Sequence, residues 1–292
     1  MGESVDLRTT LGAAAIQRDV VRVHGPEALD FLQGQLSQDI ATLAIDESAP
    51  TLLLQPAGKV DAWLRATRVA DDAVLLDGAA GHGDAVLARL RRFKLRTKAE
   101  LELEAWSGLA LRGPGAGEVV VPSGARALAA GWPGVDGVDL LSDGELALAG
   151  VPLVGAEVLE ALRIECGVPA MGAELTDATI PAEAGQWLID ASVSFTKGCY
   201  TGQELVARID SRGGNVPRPL RGLLVAGEVS PGAIVTLAGT EVGTVTSSAR
   251  SAALGMVALV PLARSVEVGA EVEVQQGAAP PATAVVVALP MR

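Results

Sequence analysis

Apolar residues along this chain fall mostly into short alternating runs separated by glycine and proline, with a few stretches at helical spacing. Residues 19–23 read as a strand, followed by a turn and a helix that Pro26 opens at its first position. Leu29, Phe31, Leu32, Leu36 and Ile40 supply that helix's apolar face. Residues 51–55, 60–69 and 73–77 alternate in strand fashion around a turn at 56–58, which predicts a β-meander. Residues 84–94 carry helical spacing at Val86, Leu87, Leu90 and Phe93, and 101–105 return to strand character. Between 112 and 155, Pro114, Pro122, Pro133 and Pro152 punctuate a glycine-rich stretch of loops and short strands that contains a boundary. A helix over 156–166 follows, with Val158, Leu159, Leu162 and Ile164 in its stripe. Beyond residue 217 the runs 220–225, 234–237, 242–247, 256–260, 271–274 and 284–289 predict a small antiparallel barrel.

Composition narrows the class. The 292 residues suffice for about two domains with sizeable cores. Hydrophobic residues make up 49% and mean hydropathy is +0.35, yet the longest tempting apolar run, 146–156, is broken by Pro152 and two glycines. That falls short of the ~18 unbroken residues a membrane helix needs. The opening MGESVDLRTTLG has neither a basic segment nor an apolar one, so a cytoplasmic protein without a signal peptide is expected. A net charge of −12 excludes a broad footprint for nucleic acid or anionic membrane and leaves only local contacts. Cys166 and Cys199 are the only cysteines, with no C-x-x-C spacing, which fits a reducing compartment. With His24 and His82 alone beside them, no zinc or iron–sulfur ligand set is expected. There is no G-x-S-x-G elbow. His24 reads as a turn residue. Gly81-His82-Gly83 fails as a dinucleotide loop because Val86 stands at the third glycine position and a meander precedes it.

The sharpest segment is KGCYTGQELVAR, residues 197–208. Thr201-Gly202-Gln203-Glu204 has the S/T-x-x-E form of a capping box, so a helix is expected just after Thr201. Cys199 then lies ahead of a helix N-terminus with Lys197 nearby, both of which favour thiolate, while Glu204 opposes it. Either Cys199 is a reactive thiol or it is a small buried residue at a helix start. Cys166, inside an apolar stripe, reads as buried.

K-G-C-Y-T-G-Q-E closely resembles the signature of the YgfZ family, folate-binding proteins related to the glycine cleavage T-protein and involved in iron–sulfur cluster maintenance. FLQGQLSQDI at 31–40, PAGKVDAWLR at 56–65, RIECG at 163–167 and IPAEAG at 180–185 fall in the same order as in that family. The resemblance covers residues 31–208 and implies an α+β, T-protein-like three-part ring with antiparallel sheets and a C-terminal β-barrel. The implied division is a first α+β domain from 1–48 and 150–216, an inserted ferredoxin-like domain at 49–149, and the barrel at 217–292. It also implies tetrahydrofolate or a one-carbon derivative as cofactor, with Glu165 holding the pterin edge beside Arg163 and Asp61 near the folate nitrogens. Lys197, Cys199 and Asp61 stand as catalytic candidates, and Tyr200, Gly202, Gln203 and Glu204 as binding candidates. The other reading of Glu165 is a simple ion pair with Arg163 on a helix end.

Three functions follow as expectations. The first is a folate-binding accessory protein of iron–sulfur cluster assembly or repair, with assembly or client proteins as partners. The second is a folate-dependent aminomethyltransferase, which the matching Asp61 keeps open. The absence of basic residues from 189 to 195, and a Cys at position 199 where T-proteins carry an acid, count against it. The third is an RNA- or protein-binding module linked to tRNA modification. Arg89, Arg91, Arg92, Lys94, Arg96 and Lys98 offer it a local basic contact, unless they are a solvated helix face. Trp63, Trp106, Trp132 and Trp187 are core aromatics, one or two of which stand ready to stack on a pterin.

Overall fold

The structure, a computed structural model, describes residues 5–277 and 280–291. Its first half builds one antiparallel sheet from β1 (Gly12–His24), β2 (Ser48–Leu54), β3 (Val60–Ala70), β4 (Ala73–Ala79), β5 (Glu100–Arg112), β6 (Arg126–Ala129) and β7 (Gly137–Ser142). The spatial order is β2-β3-β4-β1-β5-β7-β6. Alternation gives this sheet two different faces. One face packs Val21, Val23, Ala62, Ala66, Val74 and Leu76 against Phe31 and Leu32 of α1 (Ala28–Gln35) and Val86, Leu87 and Leu90 of α2 (Gly83–Lys94). The other carries Val20, Leu75, Trp106 and Leu141 together with a set of charged residues. The sheet curls enough for Arg65 on β3 to reach Ala129 O of β6 at 2.9 Å and Asp139 Oδ2 of β7 at 3.1 Å, although those strands lie near its opposite end.

Helices α3 (Ala156–Cys166), α4 (Gln186–Ser192) and α5 (Gln203–Asp210) follow. The second sheet comprises β8 (Leu220–Ala226), β9 (Ile234–Leu237), β10 (Thr240–Thr244), β11 (Ser247–Ser251), β12 (Gly255–Pro261), β13 (Glu271–Gln275) and β14 (Ala282–Val287). Ala263 N donates to Val242 O at 2.8 Å, and Gly243 bridges Leu262, so the β10 edge returns to the end of β12 and the sheet is barrel-like. Helix α3 lies between the two sheets, with Ile164 packed on Leu220, Val257 and Leu259 of the second. No helix among the described residues is long and apolar enough to cross a membrane.

The α+β expectation and the β-rich tail hold. Several boundaries move. Strand β1 extends back to Gly12 because Ala13 and Ala14, weak strand formers, are buried and paired along β5. It sits at the centre of the first sheet, although the expected division placed it with residues 150–216. Pro26 does not open α1, which begins at Ala28. The capping box does not form either: α5 begins at Gln203 behind Gly202 in the left-handed region (φ +84°), with no side-chain cap bond. The expected strand 242–247 divides between β10 and β11, and α4 was not expected.

Candidate functional site

The motif at 197–204 folds as an anchored loop. Lys197 is buried, and its Nζ donates to the carbonyls of Gln33, Leu36 and Gln38 at 2.8, 2.8 and 2.9 Å, close to the C-terminus of α1. Gln33 is in the last turn of α1, whose carbonyls lack intrahelical donors, and Leu36 and Gln38 follow the helix. Burial lowers the Lys197 ammonium to about 8, while its three acceptors favour the charged form. Tyr200 is buried too, 5.4 Å from Lys197 Nζ, and burial pushes its phenol up to about 12. Thr201 N donates to Gly34 O at 3.1 Å. Gly198 and Cys199, between these anchors, are exposed, so the loop presents a free thiol at the surface. Gly202 lies so close to the turn at 55–58 that a Cβ there would stand 2.6 Å from Gln55 O. A Cβ on Gly58 would meet Leu205 Cβ at 2.5 Å. Three of the segments that carry the family resemblance therefore meet backbone to backbone at one place. Gln203 and Glu204 open α5, with Gln203 Oε1 accepting from Tyr200 N at 3.4 Å.

The other conspicuous site is a cavity of about 340 Å³ on the charged face of the first sheet. This lies within the range of small-molecule sites, roughly 300–1,000 Å³. Trp63, Trp132, Leu159, Met171, Arg18, Arg65, Arg112, Asp139 and Arg163 are among its walls. Trp63 is held edge-on by Trp187, with ring centroids 5.9 Å apart, and its indole N–H donates to Ser192 Oγ at 3.1 Å. Trp132 lies under the Arg112 guanidinium at 4.1 Å. Along the floor, Asp77 accepts from Arg65 Nε and Nη2 at 2.9 and 3.0 Å and from Arg18 Nε and Nη2 at 2.9 and 2.7 Å. Asp139 bridges Arg65 and Arg112. Burial opposes ionisation of both acids, but the guanidiniums beside them hold both below the usual carboxylate range. Asp139 Oδ1 is sealed from solvent and lies 2.9 Å from Arg112 Nη2.

The candidate residues are dispersed. Arg163 is in the cavity wall, with Glu160, Glu174, Val168 O and Ser247 all accepting from it. Glu165 does not pair with Arg163: it is buried, accepts from Arg8 Nε at 2.9 Å, and borders a separate pocket of about 30 Å³, too small for a pteridine. Two residues along a helix is about 200° of rotation, which sends these side chains to opposite sides. Asp61 is bound to Arg89 Nε at 2.9 Å and is not in the cavity wall. Arg89 also donates to Leu54 O, which removes it from the basic surface stretch. Cys199 lies outside the cavity as well. One apolar cluster joins the two places, since Trp63 and Met171 of the cavity wall pack with the group that buries Tyr200. Cys166 is buried, and desolvation raises its thiol to about 11. His82 precedes α2, whose first N–H at Gly83 is taken by Asp19 Oδ2 at 2.7 Å. The charged floor was missed from the sequence, although single charges inside apolar strands, as in AWLRATRV, were its visible signal.

No family model matches the chain. Over 267 residues it is 28% identical to an aminomethyltransferase of Lysinibacillus sphaericus, covering 78% of this chain and 71% of that protein. The crystal structure of glycine cleavage system aminomethyltransferase T from Bartonella henselae aligns with a TM-score of 0.77 over 97% of this chain and 87% of that one, at 23% identity. The chain therefore has a T-protein-like fold. It is also 28% identical over 218 residues to a tRNA-modifying protein YgfZ of Edwardsiella ictaluri, covering 67% of this chain and 65% of that protein. The chain is thus similar both to aminomethyltransferases and to a tRNA-modifying protein YgfZ.

Proposed function

We propose that this chain is a reduced-folate-binding accessory protein serving iron–sulfur cluster assembly or repair, with Cys199 as its reactive group. The observation that carries the reading is the 340 Å³ cavity, whose walls hold two indoles and a methionine beside an arginine–aspartate network. A reduced pteridine is planar, so Trp63, Trp132 and Met171 supply faces for its ring. Bound there, a folate supplies one-carbon chemistry through its ring nitrogens. The chain's own part is to bind and orient it. Glu165, expected at the pterin edge, is occupied by Arg8 and is not in the cavity wall.

The aminomethyltransferase reading asks for Asp61 beside the ligand, and its ion pair with Arg89 outside the cavity speaks against it. The accessory reading asks for a thiol that a partner protein can reach, and Cys199 is exposed on a loop whose neighbours are anchored. Its thiolate can attack a partner's disulfide or persulfide sulfur, forming a mixed disulfide and releasing a thiolate or hydrosulfide. Titration of the purified protein with tetrahydrofolate is expected to quench tryptophan emission saturably, and Trp132→Leu to weaken binding about fivefold. Cys199→Ala is expected to bind tetrahydrofolate normally yet fail to restore iron–sulfur enzyme activity in a strain lacking the protein. Full restoration by Cys199→Ala removes the thiol from the account, and no quench removes the folate.

A further inference from the structure

The charged floor of the cavity is not electrically balanced. Arg18, Arg65 and Arg112 form one connected network with only two carboxylates, Asp77 and Asp139, leaving one positive charge in excess. Arg163, the remaining cation in the cavity wall, is answered separately by Glu160 and Glu174. Both carboxylates of the floor stay ionised because of the guanidiniums around them, so protonation does not create the excess and deprotonation of arginine cannot remove it. In a chain carrying −12 overall, a retained positive charge at a cavity wall favours an anionic occupant.

The excess is most accessible at Arg18. Arg65 and Arg112 are nearly sealed, with side chains 9% and 2% exposed, whereas that of Arg18 is 25% exposed and lies in the cavity wall. Arg18 also uses two donors on a single oxygen, Asp77 Oδ2, and its Nη1 has no hydrogen-bond partner among the described residues. The direct partner of Arg65 across the β3–β4 register is Asp77, so the pair would be complete without Arg18. Arg18 is therefore not needed to neutralise that acid. It is a guanidinium held in place by the acid and turned to the cavity.

We propose that Arg18 is the seat for one anionic group, a carboxylate, on the molecule that fills the cavity. This rests on the folate reading, under which the carboxylate belongs to the glutamyl end of the ligand. The acidic end lies toward Arg18 on β1.

The test compares tetrahydrofolate with its neutral α,γ-diamide, which has the same shape, on the wild type, Arg18→Gln and Arg18→Lys, by tryptophan fluorescence. The wild type is expected to prefer the acid by about tenfold, Arg18→Gln to lose the preference by weakening the acid alone, and Arg18→Lys to recover part of it. Equal binding of acid and diamide by the wild type overturns the seat, as does a preference that survives in Arg18→Gln. The wild-type comparison stands even where Arg18→Gln fails to fold. If the wild type binds neither compound, the folate reading falls, and the seat is read with p-aminobenzoylglutamate against its diamide. A saturable quench by the anion alone, lost in Arg18→Gln, supports it. No response to that anion overturns it.

Discussion

Lys197 and Cys199 are two residues apart in one motif and do opposite work. The lysine is turned inward, donating to three carbonyls around the end of α1, and the cysteine is presented outward. Lys197→Met removes the donor from the buried Leu36 carbonyl and from the half-buried carbonyl of Gln33, and is expected to destabilise the fold by about 3 kcal/mol, since each unsatisfied group costs roughly 1–3 kcal/mol. Cys199→Ala, at an exposed position without partners, is expected to change stability by no more than about 0.5 kcal/mol. Chemical denaturation of the two variants checks both values. The sequence made the motif visible but not this division of labour, because a loop flanked by glycines has no period from which to read inside and outside. Glu165 is a different case. Its spacing from Arg163 already forbade a shared helix face, and the likeness of R-x-E to a folate motif obscured that geometry.

At the scale of elements, β-meander and barrel strands were legible because alternation and turn residues both marked them. The start of α5 was misread because the T-x-x-E pattern fits a capping box locally, whereas Gly202 has to lie against the turn at Gln55 and Gly58. A positive φ and a contact of 2.6 Å to Gln55 O leave no room for a side chain at that point. Gly202→Ala is expected to cost upwards of about 2 kcal/mol and to loosen α5. Gly198→Ala, with no atom within 4 Å of its added carbon and an ordinary φ, is expected to be nearly neutral. Thermal melts of this pair distinguish close backbone approach from a general need for glycine in the motif. The register Arg65 opposite Asp77 was not legible, since strand order and curl decide which charges share a face.

For the whole molecule, the curled first sheet is held across its interior by Arg65, Asp77 and Asp139, and α3 joins it to the barrel-like sheet. The guanidiniums beside them hold both acids below the usual carboxylate range in the folded protein. The unfolded chain therefore binds protons first as pH falls, so their stabilisation is complete above about pH 4 and is lost as pH passes down through the folded values. Acid unfolding below about pH 4 is expected, with Asp77→Asn less stable at neutral pH and showing a shallower acid limb by circular dichroism. An unchanged acid limb in that variant would mean the network contributes little.

The folate is expected to enter the cavity and not the thiol loop. The most direct test of this placement is the set of four tryptophan indole N–H resonances recorded during titration with tetrahydrofolate. Trp63 and Trp132, both in the cavity wall, are expected to shift saturably, while Trp106, which lies outside it with its N–H held by Glu104 at 2.7 Å, moves least. Saturable binding that leaves Trp63 and Trp132 unmoved would place the ligand elsewhere and contradict this placement.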